Sequence, residues 1–199
     1  MTVVKICGVT RAEDAEVAVA AGADMIGIVF WAPSPRAASE RQAQSVRQAV
    51  PAGIPLVGVF VDEQPERIDE LVESAGLDRV QLHGSEPLAV IEHFGARAIR
   101  GVRDGDLSGV PAGVPVIYDR PWGETRDVES LYAHWRMASG LVSGRQLLLA
   151  GRLDPDNVAQ AVREVRPYCV DCASGVESAA GIKDHERLRR FVAAAKEAG

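Results

Sequence analysis

The feature that most constrains this chain is a repeat of pattern: a short apolar run, then a stretch with helical spacing, recurring along the whole sequence without a linker. The apolar runs are "VVKICG", "DMIGIVF", "IPLVGVFV", "RVQLHG", "RAIRGV", "VPVIYD", "RQLLLAG" and "YCVDCASG". Helical patterns follow all but the fifth, after which only a short polar piece stands, so the expectation is eight strands, seven clear helices and one doubtful one. Gly22 supplies a stop to the first helix and Pro51 to the second. Ser85 reads as the N-cap of "SEPLAVIEHFG", and Asp154 as an N-cap with Pro155 at the first helical position.

Such alternation means parallel strands with helices on their faces. An open doubly wound sheet is one solution, but no G-x-G-x-x-G follows the first strand. The polar residues instead stand at the C-terminal ends of the runs: Cys7, His83, Asp119, and the glycine turns "AGR" and "ASG". In a closed barrel that rim is where chemistry is built. The expectation is therefore an α/β chain forming a single (β/α)8 TIM barrel, one domain over residues 1–199. Its 199 residues leave about 25 per unit, near the lower limit for the fold.

Strand parity refines this, because successive side chains point to opposite faces. Lys5 and Cys7 share a face in the first strand, Gln81 and His83 in the fourth, Ile117 and Asp119 in the sixth, Cys169 and Asp171 in the eighth. The mixed faces are expected inside the barrel and the apolar ones under the helices. Lys5 and Asp171 then meet where the first and last strands close, either as a structural ion pair or as part of an active site.

Composition narrows the function classes. A formal net charge of -6 with no block of like charges argues against a nucleic-acid face or a polybasic membrane patch. No apolar run approaches the roughly 18 residues of a membrane span, and the first residues read as a strand and not as a signal sequence, so a cytoplasmic location is expected. Three cysteines are no disulfide framework, and in the strand "YCVDCA" residues three apart face opposite ways, so Cys169 and Cys172 read as small core residues and no metal site is expected.

The stretches "KICGVT", "ADMIGIVF" with "SPR", "VGVFV", "VQLHG", "LAGRLDPDNV", and "VDCASGVES" with "GIKDHERLRRFV" together resemble the phosphoribosylanthranilate isomerases, barrel enzymes of tryptophan biosynthesis, in the right order from residue 4 to residue 192. The resemblance implies an Amadori rearrangement of N-(5'-phosphoribosyl)anthranilate to the 1-deoxyribulose 5-phosphate, with no metal or organic cofactor and a small phosphosugar as the binding partner. It assigns the general base to Cys7 and the general acid to Asp119. It also places Arg36 on the anthranilate carboxylate, while the 5-phosphate is expected over Gly151, Ser174 and Gly175. His83, at the rim, is either a substrate contact or a structural histidine.

The two roles make opposite demands. A thiol with an ordinary pKa of about 8.5 must be held as thiolate, for which Lys5 is a candidate cation. An aspartate with an ordinary pKa of about 3.9 must be held partly protonated, by burial or a neighbouring anion. Two departures from the family pattern stand out: "YDRPWGETRDVES" replaces a glycine-rich loop after the sixth strand, leaving Arg120 and Trp122 there, and Arg152 replaces the second glycine of "AGG". The nearest rival is the histidine-pathway ProFAR isomerase, or a dual-substrate enzyme. Those barrels carry a carboxylate at the end of the first strand, where this chain has Cys7. A non-catalytic phosphosugar-binding barrel is the alternative from another class. Nothing in the sequence sets an oligomeric state.

Overall fold

Eight strands pair in parallel, each with the next, and the eighth returns to the first to close a barrel. The computed structural model describes residues 1–120, 127–142 and 144–199. The strands are β1 (Val3–Ile6), β2 (Met25–Val29), β3 (Leu56–Phe60), β4 (Arg79–Leu82), β5 (Ala98–Val102), β6 (Val116–Tyr118), β7 (Leu147–Leu149) and β8 (Cys169–Cys172). Between and after them lie α1 (Ala12–Ala20), α2 (Glu40–Ala49), α3 (Pro65–Ser74), α4 (Leu88–Phe94), α5 (Val128–Leu141), α6 (Val158–Val165) and α7 (His185–Ala198). The doubtful helix after β5 is absent: Leu107, Val110 and Val114 pack against the core there from irregular backbone. Arg145 holds that backbone through the carbonyls of Val110 and Pro111.

Two apolar layers result from the strand parity. Val4, Ile6, Ile26, Ile28, Leu82 and Val170 point outward and pack with the helices, where Leu188, Phe191 and Val192 of α7 complete the seal. Met25, Val57, Ile99, Ile117, Leu148, Ala150 and Cys169 fill the barrel axis, with Val3 below them. Above this plug the interior turns polar. Lys5 stands beside Asp171 in the β1–β8 register, and its Nζ donates to Asp171 Oδ1 at 2.9 Å. Cys169 belongs to the axial layer and Cys172 to the outer one, so their sulfurs lie on opposite faces of β8.

Two cap expectations need correction. Ser85 does not cap α4. The helix starts three residues later, with Pro87 at the N-cap, and the Ser85 N–H is drawn off to Asp62 Oδ1 at 2.6 Å. Asp154 caps a preceding turn, accepting from the N–H groups of Asp156 and Asn157, and Pro155 lies in that turn. The α-helix begins only at Val158. After β8 a single 3-10 turn, Ser174–Val176, leads into a hairpin of β9 (Glu177–Ala179) and β10 (Ile182–Lys183) that folds back over the end of β1 before α7 starts. Asp184 caps α7 by accepting from the N–H groups of Glu186 and Arg187.

Candidate active site

At the C-terminal rim a cavity of about 330 Å³ opens between the ends of β6, β7, β8 and β2; it is lined by Arg36, Asp119, Arg120, Gly151, Arg152, Asp171 and Ser174, among others. A second hollow of about 360 Å³, over β4 and β5, is lined by His83, Arg100 and Arg103. The barrel thus offers two adjoining polar basins with Asp119 near their junction.

Cys7 sits one residue past β1, 6% exposed. Its N–H donates to Cys172 O, which fixes the backbone to β8. The sulfur and the Lys5 ammonium both crowd the face of Gly27: a Cβ there would stand 2.8 Å from Cys7 Sγ and 3.1 Å from Lys5 Nζ. Glycine in β2 is what lets thiol and cation share the space. Burial pushes the Cys7 thiol up, against the fields of Lys5 and Lys183, which pull it down. Lys5 is therefore present as the expected cation, but burial outweighs it and the thiol form is favoured. Lys5 itself stays charged: burial opposes its charge, but Asp171 and then Cys7 more than offset it.

Asp119 follows β6, its side chain 29% exposed. Its Oδ1 accepts from the Arg120 N–H at 2.8 Å, and Oδ2 stands 3.6 Å from His83 Nε2. Burial lifts its pKa to about 6; the Arg120 N–H works against this, and the Asp171 anion adds to it. The demand for a partly protonated acid is met. His83 is held in turn by Gln81, whose amide lies 2.9 Å from Nδ1. Burial and the nearby cations push His83 down to about 3, so the ring is neutral at working pH. A Cβ at Gly101 would come within 2.8 Å of the His83 ring, so that glycine makes room for it. His83 thus stands against Asp119 and outside the lining of the first cavity.

The anion-binding features are placed differently from one another. Gly151, with φ +91, and Ser174 line the cavity. Gly175 lies behind the lining: a Cβ on it would fall 1.9 Å from Leu153 O, so this glycine lets the loops after β7 and β8 press together. The amides at this end belong to loops and to one 3-10 turn, since α6 begins only at Val158 and β8 is followed by Ser174–Val176. Arg152 holds the position-152 backbone in the left-handed region, φ +59, with its carbonyl accepting from Asn157 Nδ2. Trp122 and the loop around it lie outside the described residues.

Arg36 lines the cavity, yet its Nε edge is already taken. Glu177 accepts from Nε at 2.9 Å and from a terminal nitrogen at 2.8 Å, a forked pair. Glu177 also accepts from Lys183 Nζ at 3.0 Å, and that ammonium donates further to Cys7 O at 2.7 Å and Ala173 O at 3.1 Å. Neither Glu177 nor Lys183 stands out in the sequence as a site residue. The only signal was their place in "SGVES" and "GIKD", since their partners lie up to 176 residues away in the chain. Among the described residues no three His, Cys, Asp or Glu side chains are grouped to hold a metal ion, and no helix is long and apolar enough to cross a membrane.

Known proteins resemble this chain in sequence and in fold. The chain matches the family described as N-(5'-phosphoribosyl)anthranilate (PRA) isomerase over residues 4–107 and 123–194. β6 and Asp119 fall in the interval between the two matched stretches. An N-(5'-phosphoribosyl)anthranilate isomerase of Halorhodospira halophila is 43% identical over 200 residues, covering 96% of this chain and 95% of the relative. The crystal structure of phosphoribosyl anthranilate isomerase from Thermotoga maritima superposes with a TM-score of 0.89 at 35% identity, over 99% of this chain and all of that one. A phosphoribosyl anthranilate isomerase in complex with reduced 1-(o-carboxyphenylamino)-1-deoxyribulose 5-phosphate gives a TM-score of 0.82 at 34% identity, with 99% and 100% covered. With the family matched along both halves of the barrel and relatives this similar over their full length, the chain belongs to the N-(5'-phosphoribosyl)anthranilate isomerase family.

Proposed function

We propose that this protein, acting as one barrel domain over residues 1–199, converts N-(5'-phosphoribosyl)anthranilate to 1-(2-carboxyphenylamino)-1-deoxyribulose 5-phosphate in tryptophan biosynthesis, with Cys7 as general base and Asp119 as general acid. The observation that carries the reading is the pairing at one rim of a carboxyl held near pKa 6 and a thiol flanked by two ammonium groups, beside a cavity lined by three arginines.

Asp119 delivers its proton to the furanose ring oxygen. The C1–O bond breaks and the anthranilate nitrogen becomes an iminium. Cys7 thiolate then removes the proton at C2, and those electrons neutralise the iminium to give an enolamine. The enolamine then loses its O2 proton to solvent and takes one from solvent at C1 to give the aminoketone, and solvent exchange returns a proton to Asp119 and removes one from Cys7, so atoms and charge balance. The free NH1 side of the Arg36 guanidinium takes the anthranilate carboxylate. The 5-phosphate lies on the amides of Gly151 and Ser174, with Gly175 keeping the two loops in contact. Neutral His83, fixed by Gln81, orients the Asp119 carboxyl.

Because the acid titrates below the base, the reactive pair, carboxylic acid with thiolate, is a minor tautomer of the dominant carboxylate–thiol form. The expected kcat/KM profile rises through about pH 6 and falls only at the thiol pKa, above the ordinary value of about 8.5.

The test is an anthranilate fluorescence-decay assay with substrate formed in place, on the wild type, Cys7→Ser and Asp119→Asn. Rapid decay that falls by about a thousandfold or more in both variants, with product binding retained, is the expected result. Wild-type decay no faster than buffer would leave a non-catalytic phosphosugar-binding barrel instead.

A further inference from the structure

The hairpin β9–β10 connects parts of the site that the reaction uses separately. Glu177 is the centre of that connection: its side chain is 5% exposed, and its carboxylate receives Arg36 through two nitrogens, the Lys183 ammonium, and the Gly181 N–H at 3.2 Å. Burial raises its pKa, but Arg36 first and then Lys183 outweigh it and hold the carboxylate below its usual range. The charge is therefore permanent at any working pH. The Arg36 stem is fixed as firmly as its head. It crosses Gly8, where φ is +67 and a Cβ would stand 2.7 Å from Arg36 Cδ.

We infer that Glu177 is a positioning residue for substrate recognition. By occupying the Nε edge of Arg36 it leaves only the opposite side of the guanidinium to face the cavity, and so fixes where an aromatic carboxylate docks relative to Cys7. This rests on the reading of Arg36 as the carboxylate's partner. The geometry carries it in two ways. A guanidinium has two forked edges, and a free one would present either to an incoming anion by rotating about its stem. The fork to Glu177 removes that freedom. The same carboxylate, through Lys183, is tied to Cys7 O and Ala173 O, so the donor that meets the carboxylate, the strand end that bears the base and the loop after β8 are fixed in one frame.

Simple charge and positioning predict opposite signs. Removing an anion from beside Arg36 strengthens its pull on another anion, so if charge alone matters Glu177→Gln lowers KM. If positioning matters, KM rises.

The experiment compares two substrates, N-(5'-phosphoribosyl)anthranilate and the aniline adduct of ribose 5-phosphate, which lacks only the carboxylate. Rates are followed by fluorescence for the first and proton NMR for the second, in wild type, Glu177→Gln, Glu177→Asp and Arg36→Ala. The expected result is that Glu177→Gln cuts the kcat/KM preference for the carboxylated substrate about tenfold, mainly through KM, with Glu177→Asp intermediate. A purely structural defect would slow both substrates alike and leave the preference where it was, which overturns the proposal, as does a fall in KM. Should Glu177→Gln fail to fold, Glu177→Asp carries the same comparison. If Arg36→Ala also leaves the preference unchanged, the reading of Arg36 fails; if Arg36→Ala abolishes it and the Glu177 variants do not, only the positioning inference fails.

Discussion

The two flanks of the rim are held in different ways. On the β8–β1–β2 side, Cys7 is enclosed: its N–H and C=O are both bonded, a glycine of β2 is pressed against its sulfur, and a hairpin closes over it through Glu177 and Lys183. On the β6 side, Asp119 is fixed by one backbone bond and a neutral histidine at 3.6 Å, and its side chain is open to solvent over 29% of its area. The matched family stretches take in the enclosed flank and leave out β6 and Asp119. The difference teaches where each group's chemistry comes from. Burial is the largest influence on both; at Cys7 the Lys5 and Lys183 ammonium groups work against it, whereas at Asp119 a backbone N–H, that of Arg120, does so, with Asp171 raising both.

The Lys5–Asp171 pair belongs to the enclosed flank, yet its charges also act on Asp119, so it breaks the comparison most sharply. Asp171→Asn leaves a fully buried ammonium without its counter-charge, for an expected loss of about 3 kcal/mol or more in urea unfolding. The Asp171 anion raises both Asp119 and Cys7, so both limbs of the kcat/KM profile should also move to lower pH. A variant as stable as the wild type, with unmoved limbs, would mean the pair does not couple the two sides.

The next effect belongs to the enclosed flank alone. Lys183→Met removes three hydrogen bonds from a buried ammonium and is expected to cost about 2 kcal/mol. Because Lys183 also pulls the Cys7 thiol down, the upper limb should move to higher pH while the limb near pH 6 stays. Thiolate absorbance, compared with that of Cys7→Ser, checks the direction. Movement of the lower limb would show that the flanks are not separable.

Asp119→Asn acts on the open flank with a smaller effect on stability than on turnover. The folded-state pKa of about 6 lies above the unfolded value, so the folded protein binds more protons between about pH 4 and 6 and its stability falls as pH rises through that window. Asparagine removes the cost of keeping a carboxylate there. The variant should gain about 1 kcal/mol over the wild type at pH 8, an amount discounted for the partial exposure of the site, and this gain should disappear below about pH 4. Unfolding curves at the two pH values decide it. An equal difference at both would place the effect elsewhere.

Much of this was legible in the sequence, and the reasons differ by flank. Strand alternation put Lys5 and Asp171 inside and opposite each other because parity and closure are local rules applied eight times. The caps failed where a side chain found a partner outside its own segment: Ser85 at Asp62, Asp154 in a turn of its own. Glu177 and Lys183 were invisible for a stronger reason. Their strands are three and two residues long, too short to show a period, and Glu177 meets Arg36 across 141 residues. The raised thiol of Cys7 was missed too, since the sequence offers the cation on the same strand but not how completely the site is buried.

The smallest expected effect sharpens the comparison between the loops at the two ends of α6. Arg152 and Arg166 both hold left-handed backbone, φ +59 and +51, but Arg152 lines the cavity whereas Arg166 ends α6 on the exposed surface. Glycine at either position relieves the conformational cost of a side chain there and, set against the freedom glycine gains in the unfolded chain, should raise stability by about 0.5 kcal/mol. Only Arg152→Gly should also raise KM, by several-fold and more steeply at low salt, because it alone takes a cation away from the cavity proposed to receive the phosphate and carboxylate. Equal KM values for the two variants would mean that Arg152 is tolerated at its position without serving the substrate. A rise confined to Arg152→Gly would mean that a cation has replaced the backbone freedom of a glycine, and that the open flank binds by charge what the enclosed flank binds by fixed geometry.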